Sequence, residues 1–321
     1  MSLDAPSATL QLPLPTPLIT PTHIPSTPIR SSPSSPPTKL HYQSQGSGPT
    51  IILIPGGHGT SLLFTPLALS LSKAFRVITY DRRGYHRSSH LPHPARRSGA
   101  AIKAHVDDLA VLIRSVQRSS DEKVILFGSS WAAYIAVSVL LRYPDLVEKV
   151  VLHEPIFVSF LPQKTQEILR VKILEMLAVF AGKGTGAANR LLMPLISSAE
   201  DRRAFTTTSV YKELLGQKSD FFAMWYEHEY AESLTFKLDL EGLNECAMRE
   251  KVVLMLGDDP AELAFPTEPV KILARVLGRD VIRAPGGHMG YVTKEGEFAG
   301  VLERALGVVA GVGIGRVMSR L

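Results

Sequence analysis

The fold is decided by a seven-residue stretch, Phe127-Gly128-Ser129-Ser130-Trp131-Ala132-Ala133, which follows a short apolar run and opens a longer one. This order predicts a strand, a tight turn and a helix. Small residues two positions before and after Ser130 let the backbone bend closely, so the turn is strained and holds the serine side chain outward. The usual pattern is Gly-x-Ser-x-Gly, and Ala132 stands where the second glycine is expected. Ser130 is therefore the candidate nucleophile.

Short apolar runs bounded by turn residues occur on both sides of this stretch, and such runs are typical of strands buried on both faces. They cover residues 51–54, 76–80, 124–127, 149–152, 252–256 and 281–282. Helical patterns at 105–118 and 132–142 lie between them. Alternating strands and helices predict a parallel sheet with right-handed crossovers.

Residues 156–245 interrupt this alternation. They carry helical patterns at 166–180 and 214–230 and no clear strand, which predicts a helical cap inserted between core segments 39–155 and 246–321. An aromatic group in the cap either packs it onto the core or lines a substrate pocket. Its members are Phe221, Phe222, Trp225, Tyr226 and Tyr230.

Residues 1–38 differ in composition from the rest. They hold ten of the chain's 23 prolines together with many Ser and Thr, so we predict a disordered tail. Prolines at 13, 15 and 17 break its only leucine-rich stretch, which argues against a secretory signal. Since no uncharged apolar stretch of about 18 residues occurs, we expect no membrane span.

The charged residues and the cysteine content exclude several functional classes. The net charge of +5 comes from scattered residues, without the aromatic and basic stripe that binds nucleic acid, so we expect no nucleic-acid partner. One cysteine, Cys246, allows neither an intrachain disulfide framework nor a metal site built on cysteines.

A glycine-rich loop, Pro55-Gly56-Gly57-His58-Gly59, directly follows the first predicted core strand. Acyl transfer needs hydrogen-bond donors aimed at the oxygen that becomes negatively charged. Such a loop lets backbone N–H groups turn toward the nucleophile. We therefore predict an oxyanion hole formed by the N–H groups of Gly57 and Trp131, with His58 in the pocket wall.

A second glycine-flanked loop, Pro285-Gly286-Gly287-His288-Met289-Gly290, follows the last predicted strand. A histidine on such a loop, late in the chain, suits a general base that reaches Ser130. The order serine, acid, histidine agrees with this interpretation.

Taken together, these motifs resemble the α/β-hydrolase superfamily over about residues 45–308. They include Pro55-Gly56-Gly57, the turn at 81–88, Gly128-x-Ser130-x-Ala132, Arg142-Tyr143-Pro144, His153-Glu154-Pro155 and the loop around His288. The resemblance implies a doubly wound, mostly parallel eight-stranded sheet with a helical cap insertion. It also implies a small-molecule substrate, no metal or organic cofactor, and a structural role for the turn at 81–88.

The acid of the triad departs from the family's pattern. The usual aspartate follows the strand at 252–256, where Pro260 occupies the expected position and a one-residue deletion would restore Asp259, with Asp258 as a weaker candidate. Glu154, after the strand at 149–152, is the alternative, because certain haloalkane dehalogenases place the acid there. Either carboxylate would orient His288.

The residue at the nucleophile position limits the types of reaction that the protein could catalyse. The family's haloalkane dehalogenases and epoxide hydrolases need Asp at position 130, whereas serine favours cleavage of a small carboxylic ester or thioester through an acyl-enzyme. Ser130-Trp131 resembles prolyl iminopeptidases, but the cap lacks an acidic anchor for a substrate amino group. The alternative is a non-hydrolytic protein on the same scaffold, such as a binding module, a lyase or a cyclase.

The last three residues, Ser319, Arg320 and Leu321, resemble a peroxisomal address. They predict a peroxisomal import receptor as partner and the peroxisome as location, with the cytoplasm as the alternative. Hydrolases of this fold with such an ending resemble those of fungal toxin and polyketide pathways, which suggests secondary metabolism.

Overall fold

A computed structural model describes residues 28–29, 38–89, 99–217, 220–259 and 265–308. Ser319, Arg320, Leu321 and Pro260 lie outside these residues, as does most of the predicted tail. At the end of that tail, Pro28–Ile29 pairs antiparallel with Thr38–Lys39, which spans the boundary with the core.

The main sheet has seven strands among the described residues, in the spatial order β1-β3-β2-β4-β5-β6-β7, and only β1 is antiparallel to its neighbour. The strands are β1 Tyr42–Gln45, β2 Thr50–Ile54, β3 Arg76–Tyr80, β4 Val124–Ser129, β5 Val147–His153, β6 Val252–Gly257 and β7 Val281–Ala284. The predicted doubly wound, mostly parallel sheet is confirmed. Eight strands were predicted, and seven lie among the described residues, where a single antiparallel strand, β1, forms the edge beside β3.

Alternate side chains of the central strands enter two separate cores, as the two-residue period of a strand requires. In β2, Ile52 and Ile54 pack into the larger core, and Ile51 and Leu53 pack into the core on the opposite face. Both faces of the sheet are therefore covered, which explains why these strands are apolar throughout.

Helices on the two faces supply the other half of each core. One face is covered by α2 Ala100–Val116, α3 Ala132–Arg142 and α11 Thr267–Leu277, and the other by α1 Thr65–Leu71, α12 Gly290–Thr293 and α13 Glu295–Ala305. Helix α3 has the predicted bounds. Helix α2 begins five residues before the predicted start.

Residues 156–245, which we call the helical insertion, contain six helices and no strand among the described residues. They are α4 Gln163–Lys183, α5 Thr185–Ile196, α6 Ala199–Thr207, α7 Ser209–Leu215, α8 Phe221–His228 and α9 Leu240–Asn244, with a 3₁₀ turn at Tyr230–Leu234, and α10 Cys246–Arg249 follows. The prediction of one helix over 214–230 was wrong. Helix α7 ends before Gly216, and Asp220 begins α8 by accepting a hydrogen bond from the N–H of Ala223.

None of the helices in the described ranges combines the length and the hydrophobicity that a membrane-spanning segment requires.

Candidate active site

Ser130 lies at the carboxyl end of β4, immediately before α3. Its φ of 59° is in the left-handed region, which is strained for a residue with a side chain. Its N–H donates to the carbonyl of His153 at the end of β5, 3.0 Å away. A Cβ on Gly128 would lie 2.8 Å from the Cβ of Ala136, so only glycine allows α3 to approach β4 this closely. The strained turn predicted from the sequence is present.

The loop after β2 runs directly beside this turn. A Cβ on Gly56 would lie 3.4 Å from the carbonyl oxygen of Ser129 and 3.9 Å from the Cβ of Ser130. Gly57, the next residue, lines the same cavity as Ser130. Trp131 is fully buried and begins α3. The loop and the helix start therefore flank Ser130, as the predicted oxyanion hole requires.

His288 is buried and forms a short hydrogen bond with Glu154. Nδ1 of His288 lies 2.9 Å from Oε2 of Glu154. A carboxylate only accepts hydrogen bonds, so Nδ1 carries the proton and Nε2 is left as the basic atom. Burial raises the pKa of Glu154, but the hydrogen bond from His288 and the nearby charges outweigh burial and hold that pKa below its usual value. The carboxylate is therefore ionised at neutral pH.

The second oxygen of Glu154 is bound as well. Oε1 accepts the N–H of Gly257, at the end of β6, over 3.0 Å. The backbone of Glu154 has a φ of 43° and donates its N–H to the carbonyl of Met255. Two strands, β5 and β6, therefore fix the position of this carboxylate.

The other candidate acid, Asp259, has a different partner. Its Oδ2 accepts a hydrogen bond from the hydroxyl of Ser198, 2.5 Å away, and Asp258 is exposed to solvent. Of the carboxylates considered from the sequence, the one hydrogen-bonded to His288 is Glu154.

Asp201, which sequence analysis did not single out, holds the loop that carries His288. It lies in α6, is buried, and accepts the N–H of Met289 at 2.9 Å. Burial raises its pKa, and the charges of Glu154 and Asp259 add to that rise. Ser198-Ala199-Glu200-Asp201 is a helix-start pattern, so the sequence indicates where α6 begins. It gives no sign of a contact with a residue 88 positions away.

A cavity of about 660 Å³ lies between the sheet and the helical insertion. Ser130, His288 and Gly57 line it from the sheet side. Most of the wall contributed by the insertion is apolar, including Leu192, Ile196, Phe205, Leu214, Phe221 and Phe222. A substrate at Ser130 would therefore lie mainly against hydrocarbon and aromatic surface.

Some of the aromatic residues of the insertion line the cavity and others pack in the interior, which are the two roles considered from the sequence. Phe221, Phe222 and Trp225 line the cavity. Tyr226 and Tyr230 are buried in packing, and the ring of Tyr226 stacks on Phe180.

His58 is in the cavity wall, as predicted. Its ring meets Phe222 edge to face, with the centroids 5.1 Å apart. Burial, followed by the charges of Arg82 and His288, lowers the pKa of His58 to about 3. It is therefore neutral at physiological pH.

Among the described residues, no three His, Cys, Asp or Glu side chains gather in a way that could hold a metal ion.

Comparison with known proteins finds a family model, relatives and solved structures that this chain resembles. Residues 49–203 match a family model described as alpha/beta hydrolase fold. The chain is 29% identical over 265 residues to the uncharacterized hydrolase YraK of Bacillus subtilis (strain 168), covering 82% of this chain and 91% of that one.

A second relative is similar over a shorter region. It is the 2-(acetamidomethylene)succinate hydrolase of Mesorhizobium japonicum, 37% identical over 112 residues, which are 35% of this chain and 37% of the relative. Among solved structures, the serine hydrolase CCSP0084 of Cycloclasticus zankles superposes with a TM-score of 0.65. It is 13% identical, and the match covers 88% of this chain and 98% of that one. At this identity, the likeness concerns the fold.

Proposed function

We propose that the chain is a hydrolase of the α/β-hydrolase superfamily, as its match to the family model and its hydrolase relative support. On this proposal it cleaves a carboxylic ester or thioester through an acyl-enzyme on Ser130. His288 is the general base, Glu154 is the acid of the triad, and the N–H groups of Gly57 and Trp131 form the oxyanion hole.

The hydrogen bond between His288 and Glu154 carries this proposal. A buried, ionised carboxylate 2.9 Å from Nδ1 holds the imidazole in the tautomer whose Nε2 can accept a proton. Ser130, on a strained turn with φ of 59°, lines the same cavity as this imidazole. A strained serine, an imidazole and an orienting carboxylate are the set that nucleophilic acyl transfer needs.

The reaction follows from these groups in two halves. The hydroxyl oxygen of Ser130 attacks the substrate carbonyl while Nε2 of His288 takes its proton, and the carbonyl oxygen becomes an oxyanion held by two N–H groups. When the oxyanion collapses, His288 gives the proton to the departing alcohol or thiol. Water, deprotonated by His288, then attacks the acyl-enzyme. When this second oxyanion collapses, His288 returns the proton to the oxygen of Ser130 and the carboxylic acid is released.

The cavity supports a neutral and largely apolar substrate. Its volume of about 660 Å³ suits a small molecule, and the walls are hydrocarbon and aromatic with a neutral His58. The charged lining residues Arg202 and Asp220 are of opposite sign. Each also has a partner in the fold, since Arg202 donates to the carbonyl of Ser197 and Asp220 caps α8.

Labelling with a fluorophosphonate probe tests the nucleophile. The wild-type protein should gain one probe group, on Ser130, and Ser130→Ala should lose both labelling and ester turnover. Ser129→Ala is the matched control, because the hydroxyl of Ser129 is hydrogen-bonded to His153. It should keep labelling. Persistent labelling or turnover in Ser130→Ala would exclude this mechanism.

A series of ester and thioester substrates tests the proposed substrate class. p-Nitrophenyl esters from acetate to decanoate, the matching acyl-CoA thioesters and a p-nitrophenyl monoester of succinate would be compared by kcat/KM. Neutral chains of medium length should be preferred, and the anionic succinate ester should be turned over more slowly than the neutral butyrate ester. Preference for the succinate ester would reject the neutral substrate class while leaving the serine mechanism intact.

A further inference from the structure

Arg82 is a fully buried arginine in the turn after β3, which the family resemblance assigns a purely structural role. Its guanidinium makes two hydrogen bonds to oxygen acceptors, and Nη1 also lies 2.8 Å from Nε2 of His105. Nη2 donates to the carbonyl oxygen of Gly56 at 2.8 Å, and Nη1 donates to Oε2 of Glu229 at 2.7 Å. Glu229 belongs to the helical insertion and is also fully buried. The guanidinium thus joins the loop after β2 to the insertion.

The bond to Gly56 bears directly on the oxyanion hole. The carbonyl of Gly56 and the N–H of Gly57 are the two ends of one planar peptide group. Holding the carbonyl end therefore fixes the direction in which the N–H end points. A hydrogen bond from a cation also polarises the peptide, which makes its N–H a better donor.

The same guanidinium contacts the residue that supplies the other donor. Its Cζ lies 4.8 Å from the centroid of the Trp131 ring, within the range of a cation–π contact. Arg82 therefore contacts the peptide group that carries one of the two assigned N–H donors and the side chain of the residue that carries the other.

Glu229 ties this arrangement to the insertion. Burial raises the pKa of Glu229, but Arg82 and His105 outweigh burial and bring that pKa to about 2, so the pair is ionised. The N–H of Glu229 donates to the carbonyl of Trp225. The indole of Trp225 would lie 3.1 Å from a Cβ on Gly57, so the insertion meets the Gly56-Gly57 peptide at both its ends.

We propose that Arg82 and Glu229 are positioning residues that set the Gly56-Gly57 peptide, so that the oxyanion hole is complete only when the insertion packs against it. This inference rests on the proposed function, because it assigns a role within the acyl-transfer site. Arg82 acts through the peptide and does not touch the reacting atoms.

Four variants test the proposal: Arg82→Met, Glu229→Gln, their double variant and the control Arg83→Met. Arg83 is in the same turn, and its guanidinium is paired with Asp108. Arg82→Met should lower kcat by about 10²–10³-fold, the loss typical of one oxyanion donor, with KM changed by less than about threefold. Glu229→Gln should lower kcat less. The double variant should be no slower than Arg82→Met, since both residues act through one peptide.

Inhibition by a boronic acid separates positioning from a general loss of structure. Its tetrahedral adduct with serine presents an oxygen to the oxyanion hole, so across the variants the loss in affinity should follow the loss in kcat/KM. Affinity for the carboxylic acid product should change little. Thermal unfolding would be followed in parallel. If Arg82→Met does not fold, the test is made on Glu229→Gln, by the same comparison of its loss in boronic acid affinity with its loss in kcat/KM.

Two results would overturn the proposal. In one, Arg82→Met or Glu229→Gln has the kcat of Arg83→Met. In the other, kcat and product affinity fall together. Either result would leave the serine mechanism standing as long as Ser130→Ala is inactive, so the two proposals fail separately.

Discussion

Nδ1 of His288 and Oε2 of Glu154 lie 2.9 Å apart, although 134 residues separate them in the sequence. Glu154 follows β5 and His288 follows β7. The strand between them, β6, ends at Gly257, whose N–H binds the other oxygen of Glu154. The carboxylate therefore bridges the ends of three adjacent strands, and its position is as rigid as the sheet.

Exchange of each candidate acid for its amide should separate their roles. Glu154→Gln should lower kcat by about 10³–10⁴-fold, because an amide facing Nδ1 disfavours the tautomer with a basic Nε2. Asp259→Asn is the matched control and should stay within a few-fold of wild type, because the Asp259 carboxylate is bound to Ser198. Steady-state kinetics on p-nitrophenyl butyrate would measure both. Equal losses, or a larger loss in Asp259→Asn, would move the acid away from Glu154.

Asp201→Asn should raise stability at neutral pH. A carboxyl whose folded pKa is raised adds most to stability below its unfolded pKa, and this contribution is lost as pH rises through the folded pKa. Asparagine removes the buried charge and still offers an oxygen to the N–H of Met289. The melting temperature should exceed that of wild type at pH 7, and the difference should shrink as pH falls toward about 4.

Glu200→Gln, one residue earlier in α6 and exposed, provides the comparison. The difference in melting temperature between Glu200→Gln and wild type should not shrink as pH falls. A melting temperature of Asp201→Asn below that of wild type at pH 7 would mean that the charge of Asp201 stabilises the loop of His288.

Gly128→Ala should destabilise the protein by about 1–3 kcal/mol, the usual cost of overpacking a close contact. Its Cβ would lie 2.8 Å from Cβ of Ala136, so β4 and α3 would have to separate and Ser130 would move with them. Activity should fall along with stability. Urea unfolding would measure the first and ester hydrolysis the second.

Gly300→Ala is the opposite case within α13. The atom nearest to its added Cβ is Nη1 of Arg304 at 3.4 Å, which is an ordinary contact with a flexible side chain. Alanine should stabilise this helix by about 0.5–1 kcal/mol. A stabilising Gly128→Ala would contradict the close packing of the turn.

Leu192→Trp should shorten the preferred acyl chain. Leu192 is 3% exposed and lines the cavity, whereas its neighbour Leu191 is 37% exposed on the outer side of α5. Tryptophan at 192 occupies space that a long chain needs, so KM for the decanoate ester should rise about tenfold or more with the acetate ester little affected. Leu191→Trp should leave both unchanged. Equal effects of the two substitutions would place the acyl chain elsewhere.

Much of the fold could be predicted from the sequence because strands buried on both faces are apolar without interruption. That rule found β2 through β6, and the short apolar pair Val281-Ile282 marked β7, which is only partly buried. It missed β1, whose sequence Tyr42-Gln43-Ser44-Gln45 is polar and half-buried, because an edge strand needs no apolar run. The helical pattern in turn predicted one helix where α7 and α8 are separate, since the apolar pattern continues across the break that Gly216 and Asp220 produce.

The nucleophile and the base could be located because each is on a loop with its own glycine signature. The acid had no such signature, since Glu154 and Asp259 both follow strands and both fit the local pattern. The contact that distinguishes them comes from a neighbouring strand, because the N–H of Gly257 at the end of β6 binds the carboxylate of Glu154. Arg82 and Glu229 were missed for the same reason, because 147 residues separate them.

Two carboxylates of the helical insertion bind the loops that flank Ser130. Asp201 holds the N–H next to His288, and Glu229 holds the arginine bound to Gly56. The insertion is therefore not an exchangeable module that merely selects the substrate. A chimera that receives a relative's insertion would need a hydrogen-bond acceptor in the place of Asp201 and an acid in the place of Glu229. Engineering of a new specificity in this protein is accordingly best done by substitutions within α5 to α8, with positions 201 and 229 left as they are.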